Sequence, residues 1–353
     1  MFRKIRHFWV FSAILVVVGV FFIFYFQAIG ALNTESNFRA GVVKIPEESV
    51  KETSVIFGGD IMLARTVEQK ILATGDYALP FRKIYQEFKK ADLALANLES
   101  PFSDGGSATP NGSTVFRALP RTIESLKLAG LDAVTLANNH FGDQGNKGKL
   151  YTFKHLTDNG IEYCGAGNDY DEAHTPVIKE VNEIKIGFLG YGYPETMYVA
   201  TGDSPGLANM DIEQMKKDIE RLSDSADFIV VTMHAGAEYT HTPGKSQIAF
   251  SHAAIDAGAN LVIGHHPHVV QSTEKYKDGY IIYSLGNLVF DQMWSEETQQ
   301  GVVVKVILSD NKLKSIEFKP IHIYDYNQPD WVVGSEAEKI LGDMGLNSFT
   351  LSF

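Results

Sequence analysis

The chain has 353 residues, a hydrophobic share of 44% and a formal net charge of −12. That length allows one large or two modest domains with ample core. The acidic balance excludes general binding of nucleic acid or anionic lipid headgroups, and a single cysteine, Cys164, excludes an intrachain disulfide.

The first element in chain order is apolar. Arg3, Lys4 and Arg6 precede an uncharged stretch that runs from His7 to Thr34. Its densest part, residues 8–26, would span about 30 Å as a helix, enough for a bilayer. The cations before it place the N-terminus in the cytoplasm and the remainder outside. A cleaved signal peptide ending near Ala28 or Ala31 is the competing reading. A signal h-region runs to only about 7–15 residues, so residues 1–34 are expected to be an uncleaved single-pass anchor in the cell membrane. Beyond it, 28 Lys and Arg face 43 Asp and Glu, a net charge of −15. Residues 35–53, with Pro46 and several charges, read as a linker.

From Ser54 onward, apolar runs alternate with helical patterns. Five of those runs end in residues able to bind a metal. Residues 54–57 lead through two glycines to Asp60. Residues 93–96 lead to Asn97 and Glu99, and residues 133–137 to Asn138, Asn139 and His140. Residues 228–233 lead to His234, and residues 261–264 to His265, His266 and His268. Short runs rich in Val, Ile and Leu read as strands buried on both faces, and open α/β sheets place their sites beyond the carboxyl ends of such strands. Any one strand-terminal Asp, Asn or His is more simply a cap, a turn former or a hydrogen-bonded structural residue. Five such ends together point to a metal site for two ions.

Helical patterns fall near residues 64–73, 81–90, 121–129, 147–159, 212–222 and 246–257, several ending at glycine or asparagine stops. Residues 103–113 form a loop of turn formers. Residues 177–190 read as strand–turn–strand, with Asn182 and Glu183 at the turn. Residues 280–285, 302–308 and 314–320 read as late strands without helices between them. A mainly parallel first sheet with late antiparallel strands predicts two packed sheets flanked by helices. The main domain is expected over residues 54–322, followed by a C-terminal tail over 323–353.

At these same residues the sequence resembles a known family. GGDIMLAR, NLESP, LANNHFGDQG, GHHPHVVQ and YSLGNLVFDQ, in that order, resemble the bacterial capsule-synthesis proteins of the CapA/PgsA type, associated with poly-γ-glutamate capsules. That family is in turn similar to the calcineurin-like metallophosphoesterases. The resemblance covers about residues 54–318 and implies a four-layer α/β/β/α sandwich with a dinuclear metal centre. It implies Asp60, Glu99, Asn139, His234, His266 and His268 as metal ligands, with Glu99 in the bridging position and His265 as an extra. Two positions depart from the superfamily pattern. Met62 stands where a His is usual, and Glu99 stands where the bridging carboxylate is usually Asp. The resemblance also implies poly-γ-glutamate or a related anionic intermediate, and membrane-bound capsule synthetase subunits, as partners.

Mixed oxygen and imidazole ligands suit Mn, Fe or Zn without choosing among them. His140 is the candidate proton donor to a leaving group, or holds its loop by a hydrogen bond. Arg65 and Arg117 are candidates for gripping an anionic substrate group, with a surface salt bridge as the alternative. Asn287 and Asp291 are candidate pocket residues, whereas loop packing is the better reading for Tyr239 and His241. The expected function is a membrane-anchored, extracytoplasmic component of poly-γ-glutamate synthesis or export. The alternatives are an envelope metallohydrolase acting on a phosphate ester, and a noncatalytic assembly subunit whose metals are structural.

Overall fold

A strand is buried along its whole length only when both its faces are covered, and Thr53–Ile61 is buried almost throughout. The computed structural model describes residues 51–105, 112–193 and 198–353. The expected anchor and most of the linker lie outside them, and among the described residues no helix is long and apolar enough to cross a membrane. Successive side chains of a strand point to opposite faces. Accordingly Val55 and Phe57 enter one apolar cluster and Ile56 another, and the register shifts between Phe57 and Ile61 turn Ile61 to the side of Ile56.

The first sheet grows from this strand. Leu93–Leu98, Ala133–Thr135 and Glu162–Cys164 follow it in parallel on one side. Gln300–Ser309, Lys312–Tyr324 and Gln328–Trp331 follow in antiparallel order on the other. In the second sheet Ile184–Gly192, Phe228–His234, Leu261–His265 and Gly279–Ile282 run parallel. Val177–Val181 and Thr273–Tyr276 close its edges in antiparallel pairing.

Three apolar clusters separate four layers. Helices of the first half cover the outer face of the first sheet through Val67, Ile71, Leu126 and Leu156. Val55, Phe57 and Leu95 meet Phe188, Val230 and Ile263 between the two sheets. Met215, Ile219, Leu222 and Phe250, from Ile212–Ser223 and Lys245–Asp256, cover the outer face of the second sheet over Ile229, Val231 and Val262. The result is a mixed α/β sandwich. Its expected hairpin is present: Val177–Val181 and Ile184–Gly192 are joined by Asn182 and Glu183, both at positive φ (51° and 72°), the geometry that matches strand twist in a two-residue turn.

Two expectations are corrected. The run at 280–285 is not a late antiparallel strand. Thr273–Tyr276 forms the antiparallel edge instead, so Gly279–Ile282 emerges parallel to Leu261–His265. Residues 323–353 do not trail away either. In the helix Ser335–Asp343 and the residue after it, Ala337, Ile340, Leu341 and Met344 recur at helical spacing and are buried in the cluster between the sheets. Thr350–Ser352 then pairs with Lys312–Tyr324.

Both sheets bring their carboxyl ends to one edge. Asp60 lies in register with Asn97 on one side and Asn287 on the other, and His234 lies in register with His265. The close approach at Asp60 depends on Gly59, where a Cβ would sit 2.0 Å from the Gly286 carbonyl oxygen.

Candidate metal centre

Six residues expected as ligands meet at this edge. His234 Nε2 lies 2.9 Å from Asn139 Oδ1 and 3.1 Å from His266 Nδ1. Glu99 Oε1 stands 3.9 Å from His234 Nε2 and 3.6 Å from His268 Nε2. Asp60 Oδ2 stands 3.6 Å from His268 Nδ1. Two donor groups result, Glu99 with His234 and His266, and Asp60 with Glu99 and His268, each with its ligand atoms within 4.8 Å of one another. Glu99 belongs to both, which a carboxylate with two oxygens can do. His266 and His268 hold positive φ of 97° and 58°, an uncommon conformation for residues with a Cβ and one that clusters at functional sites.

A second tier holds these donors in place. The Asn97 side-chain amide donates to Asp60 Oδ1 at 2.8 Å and Glu99 Oε2 at 3.3 Å. Asn138 donates to Asn97 Oδ1 at 3.1 Å and to the Leu98 carbonyl at 2.8 Å. Asn287 lies 3.0 Å from His268 Nδ1 through its Oδ1, and donates to Gln292 and the Thr298 carbonyl. It therefore fixes a ligand rather than facing the pocket.

The electrostatics match cation binding. Burial alone would raise the Asp60 carboxyl, but His265, His234 and His268 outweigh it and hold it well below the usual range. Glu99 is pushed well above its usual range by burial, then by the charges of Asp60, Glu238 and Asp143. His234, His266 and His268 are held below the usual imidazole value, chiefly by burial, so their ring nitrogens keep free lone pairs. Glu99 Oε1 is buried with no hydrogen-bond partner. An orphaned carboxylate oxygen among neutral imidazoles and an amide oxygen is what a divalent ion would satisfy. Met62 adds no ligand: it is buried, and its Sδ faces the Ala64 amide at 3.1 Å.

The centre opens onto a pocket of about 440 Å³ lined in part by Arg65, Phe116, Asn139, His140, Glu238 and Tyr239. His140 Nδ1 lies 2.9 Å from Asp143 Oδ2, and its Nε2 lies 3.9 Å from Glu99 Oε1. Its ring stacks on Phe116 with centroids 3.9 Å apart. Arg65 pairs with Asp291, donates to the Ser113 carbonyl at 2.8 Å, and lies over the Phe116 ring at 4.7 Å.

Other expected residues are placed elsewhere. Arg117 is buried 3.9 Å from Glu68 and does not line the pocket. The extra histidine, His265, is buried beside Asp60, with Nδ1 3.2 Å from Oδ1, so it supports a ligand. His241 does pack in its loop, against the Val270 carbonyl at 2.8 Å. Tyr239 instead lines the pocket and stacks toward His268. The sequence reading missed Asp143 and Glu238. Asp143, three residues after His140, carried a spacing signal; Glu238 carried none.

The family model described as "Bacterial capsule synthesis protein PGA_cap" matches residues 54–292. The chain belongs to that family. A capsule biosynthesis protein CapA of Bacillus anthracis is 33% identical over 80% of this chain and 71% of the relative. A PGA biosynthesis protein CapA of Bacillus subtilis (strain 168) is 30% identical over 81% of this chain and 76% of the relative. Among solved structures, an NAD nucleotidase of Haemophilus influenzae matches 85% of this chain and 57% of its own at 11% identity and a TM-score of 0.47, a likeness too distant to bear on activity. The stretch matched by the capsule-synthesis model contains all six donors, together with His140, Asp143 and Arg65.

Proposed function

We propose that this chain is a membrane-anchored, extracytoplasmic component of poly-γ-glutamate synthesis or export, working through a dinuclear centre of metallophosphoesterase type. The observation that carries the reading is the sharing of Glu99 by two adjacent donor groups behind a pocket that Asn139 and His268 line. Capsule-synthesis relatives at 33% and 30% identity supply the pathway. Asp60, Glu99 and His268 would hold one ion, and Glu99, Asn139, His234 and His266 the other. Ions held there, of Mn, Fe or Zn, would polarise a phosphoryl or acyl oxygen and acidify a water.

The protein's own groups do the rest. Asp143 engages His140 at Nδ1 and so turns Nε2 toward the donors, where it can give its proton to a leaving oxygen or nitrogen. Arg65, braced by Asp291 and Phe116, puts a fixed cation on the pocket wall. The membrane-bound subunits of a polymer synthetase are the expected partners, since anchoring confines both to one surface.

Asn139→Ala tests the reading. It removes one ligand at a half-buried loop position, so the fold should survive by circular dichroism while bound metal and capsule yield both fall. Full capsule yield after loss of metal would transfer the function to assembly or binding. Turnover of a phosphate ester by a protein dispensable for capsule would favour the envelope hydrolase. Protease added to intact cells should remove the domain; a protected domain would overturn the orientation.

A further inference from the structure

The pocket mouth carries an acidic group that belongs to neither donor group. Of its acidic side chains, Asp143 is committed to His140 and the Phe116 amide, and Asp291 behind the wall is committed to Arg65. Glu238 is exposed, lines the pocket, and has no cation paired with it among the described residues. Two exposed rings, Tyr239 and Trp294, line the same pocket, edge to face with centroids 5.9 Å apart.

This mouth is built rather than loose. Tyr239 sits at a φ of 62°, a conformation that is strained in a residue with a Cβ. Its amide donates to the Pro267 carbonyl at 2.8 Å, between the two metal histidines. Gln271 donates to the Thr240 carbonyl at 2.7 Å, and Thr240 to the Ala237 carbonyl at 2.9 Å. The loop is thus tied to the ligand-bearing turn, and Glu238 is held over the same pocket as Arg65 and His140.

We propose that Glu238, with the rings of Tyr239 and Trp294, forms an ammonium-binding lip, and that the pocket takes the amino-terminal end of a γ-linked glutamate chain. The inference rests on the poly-γ-glutamate reading and narrows it. In such a polymer every residue carries a free α-carboxylate, but only the terminal residue also carries a free α-ammonium. A carboxylate that shares a pocket mouth with aromatic rings attracts an ammonium group by charge and offers it cation–π contact. Arg65, on the wall of the same pocket, attracts the neighbouring carboxylate. An interior segment offers carboxylates alone and meets Glu238 as a repulsive element, which is how a site rejects the wrong part of a similar ligand. The acidic surface outside the pocket works in the same direction, since it disfavours adsorption of the polymer along its length.

The test is calorimetric titration of the purified full-length protein with two γ-linked glutamate trimers, one with a free amino terminus and one acetylated there. The free trimer should bind about tenfold more tightly, the scale of one ammonium contact of this kind. E238Q, an exposed substitution, should bring the ratio of the two affinities near one, and W294L should lower it. Equal affinities in the parent protein, or an unchanged ratio in E238Q, would overturn end recognition. If neither trimer binds while the same preparation turns over a phosphate ester, the poly-γ-glutamate reading itself fails, and the end-recognition proposal fails with it.

Discussion

Replacing Glu99 by glutamine is expected to empty both metal positions at once and to reverse sign in its effect on stability depending on metal. Glu99 is fully buried and is the one residue common to both donor groups. An amide in its place cannot bridge two cations as a carboxylate does. Metal that binds only the folded state stabilises it by about 2.7 kcal/mol for each site at a hundredfold excess over the dissociation constant. Added Mn²⁺ should therefore raise the melting temperature of the parent and leave Glu99→Gln unmoved. In chelator the order changes. The parent must then bury a charge or take up a proton on folding at Glu99, and a neutral amide of the same shape avoids that cost.

The pH dependence follows the same group. Burial, then Asp60, Glu238 and Asp143, raise Glu99 in the folded protein. Above the ordinary carboxyl range the unfolded chain has lost this proton while the folded chain keeps it. The metal-free parent consequently loses this contribution to stability as pH rises. His234, His266 and His268, lowered by burial, act in the opposite sense near their usual value. They are present in both proteins, so the difference between parent and variant isolates Glu99. Scanning calorimetry in chelator from pH 5 to 8 should show the variant gaining on the parent as pH rises. Elemental analysis finding two metal equivalents in Glu99→Gln would refute the shared-ligand arrangement.

His140→Ala should separate chemistry from metal binding. His140 lies outside both donor groups, so metal content should not change. Its Nε2 nevertheless lies 3.9 Å from Glu99 Oε1, and His140 itself lines the pocket. Loss of a positioned proton donor costs about 10²–10⁴ in rate, and polymer output or phosphoester turnover should fall accordingly. Asp143→Asn keeps the imidazole but weakens its orientation, so it should fall between the parent and His140→Ala. The assay pairs capsule yield with metal stoichiometry for each variant. Undiminished yield in His140→Ala, with metal retained, would make the centre a recognition or structural element and leave His140 as a loop brace.

Much of the site was legible because its signal is local. Asp60, Asn139, His234, His266 and His268 each stand at or just past the end of an apolar run, and a strand buried on both faces announces itself by continuous Val, Ile and Leu. Helix Ser335–Asp343 was missed although its apolar spacing is regular. Arg117 was misplaced too: a cation in a loop has many acids within reach, and only the packed structure shows that it faces Glu68.

By itself the sequence determined which donor atoms exist and that they lie at strand ends, since alternation and apolar run length are properties of neighbouring residues. It also determined the acidic character of everything past residue 34. Only the tertiary structure decided that Glu99 is shared and that His265 supports Asp60. The tertiary structure likewise decided that Asn287 holds His268 and that Glu238 is brought to the same pocket as Arg65. These relations join residues far apart in the chain; the His266 amide reaches an Asp60 oxygen across 206 positions. They depend on how two sheets meet through the apolar layer between them, and that offset is set by the packing of Val55, Phe57, Phe188 and Val230, not by any local pattern.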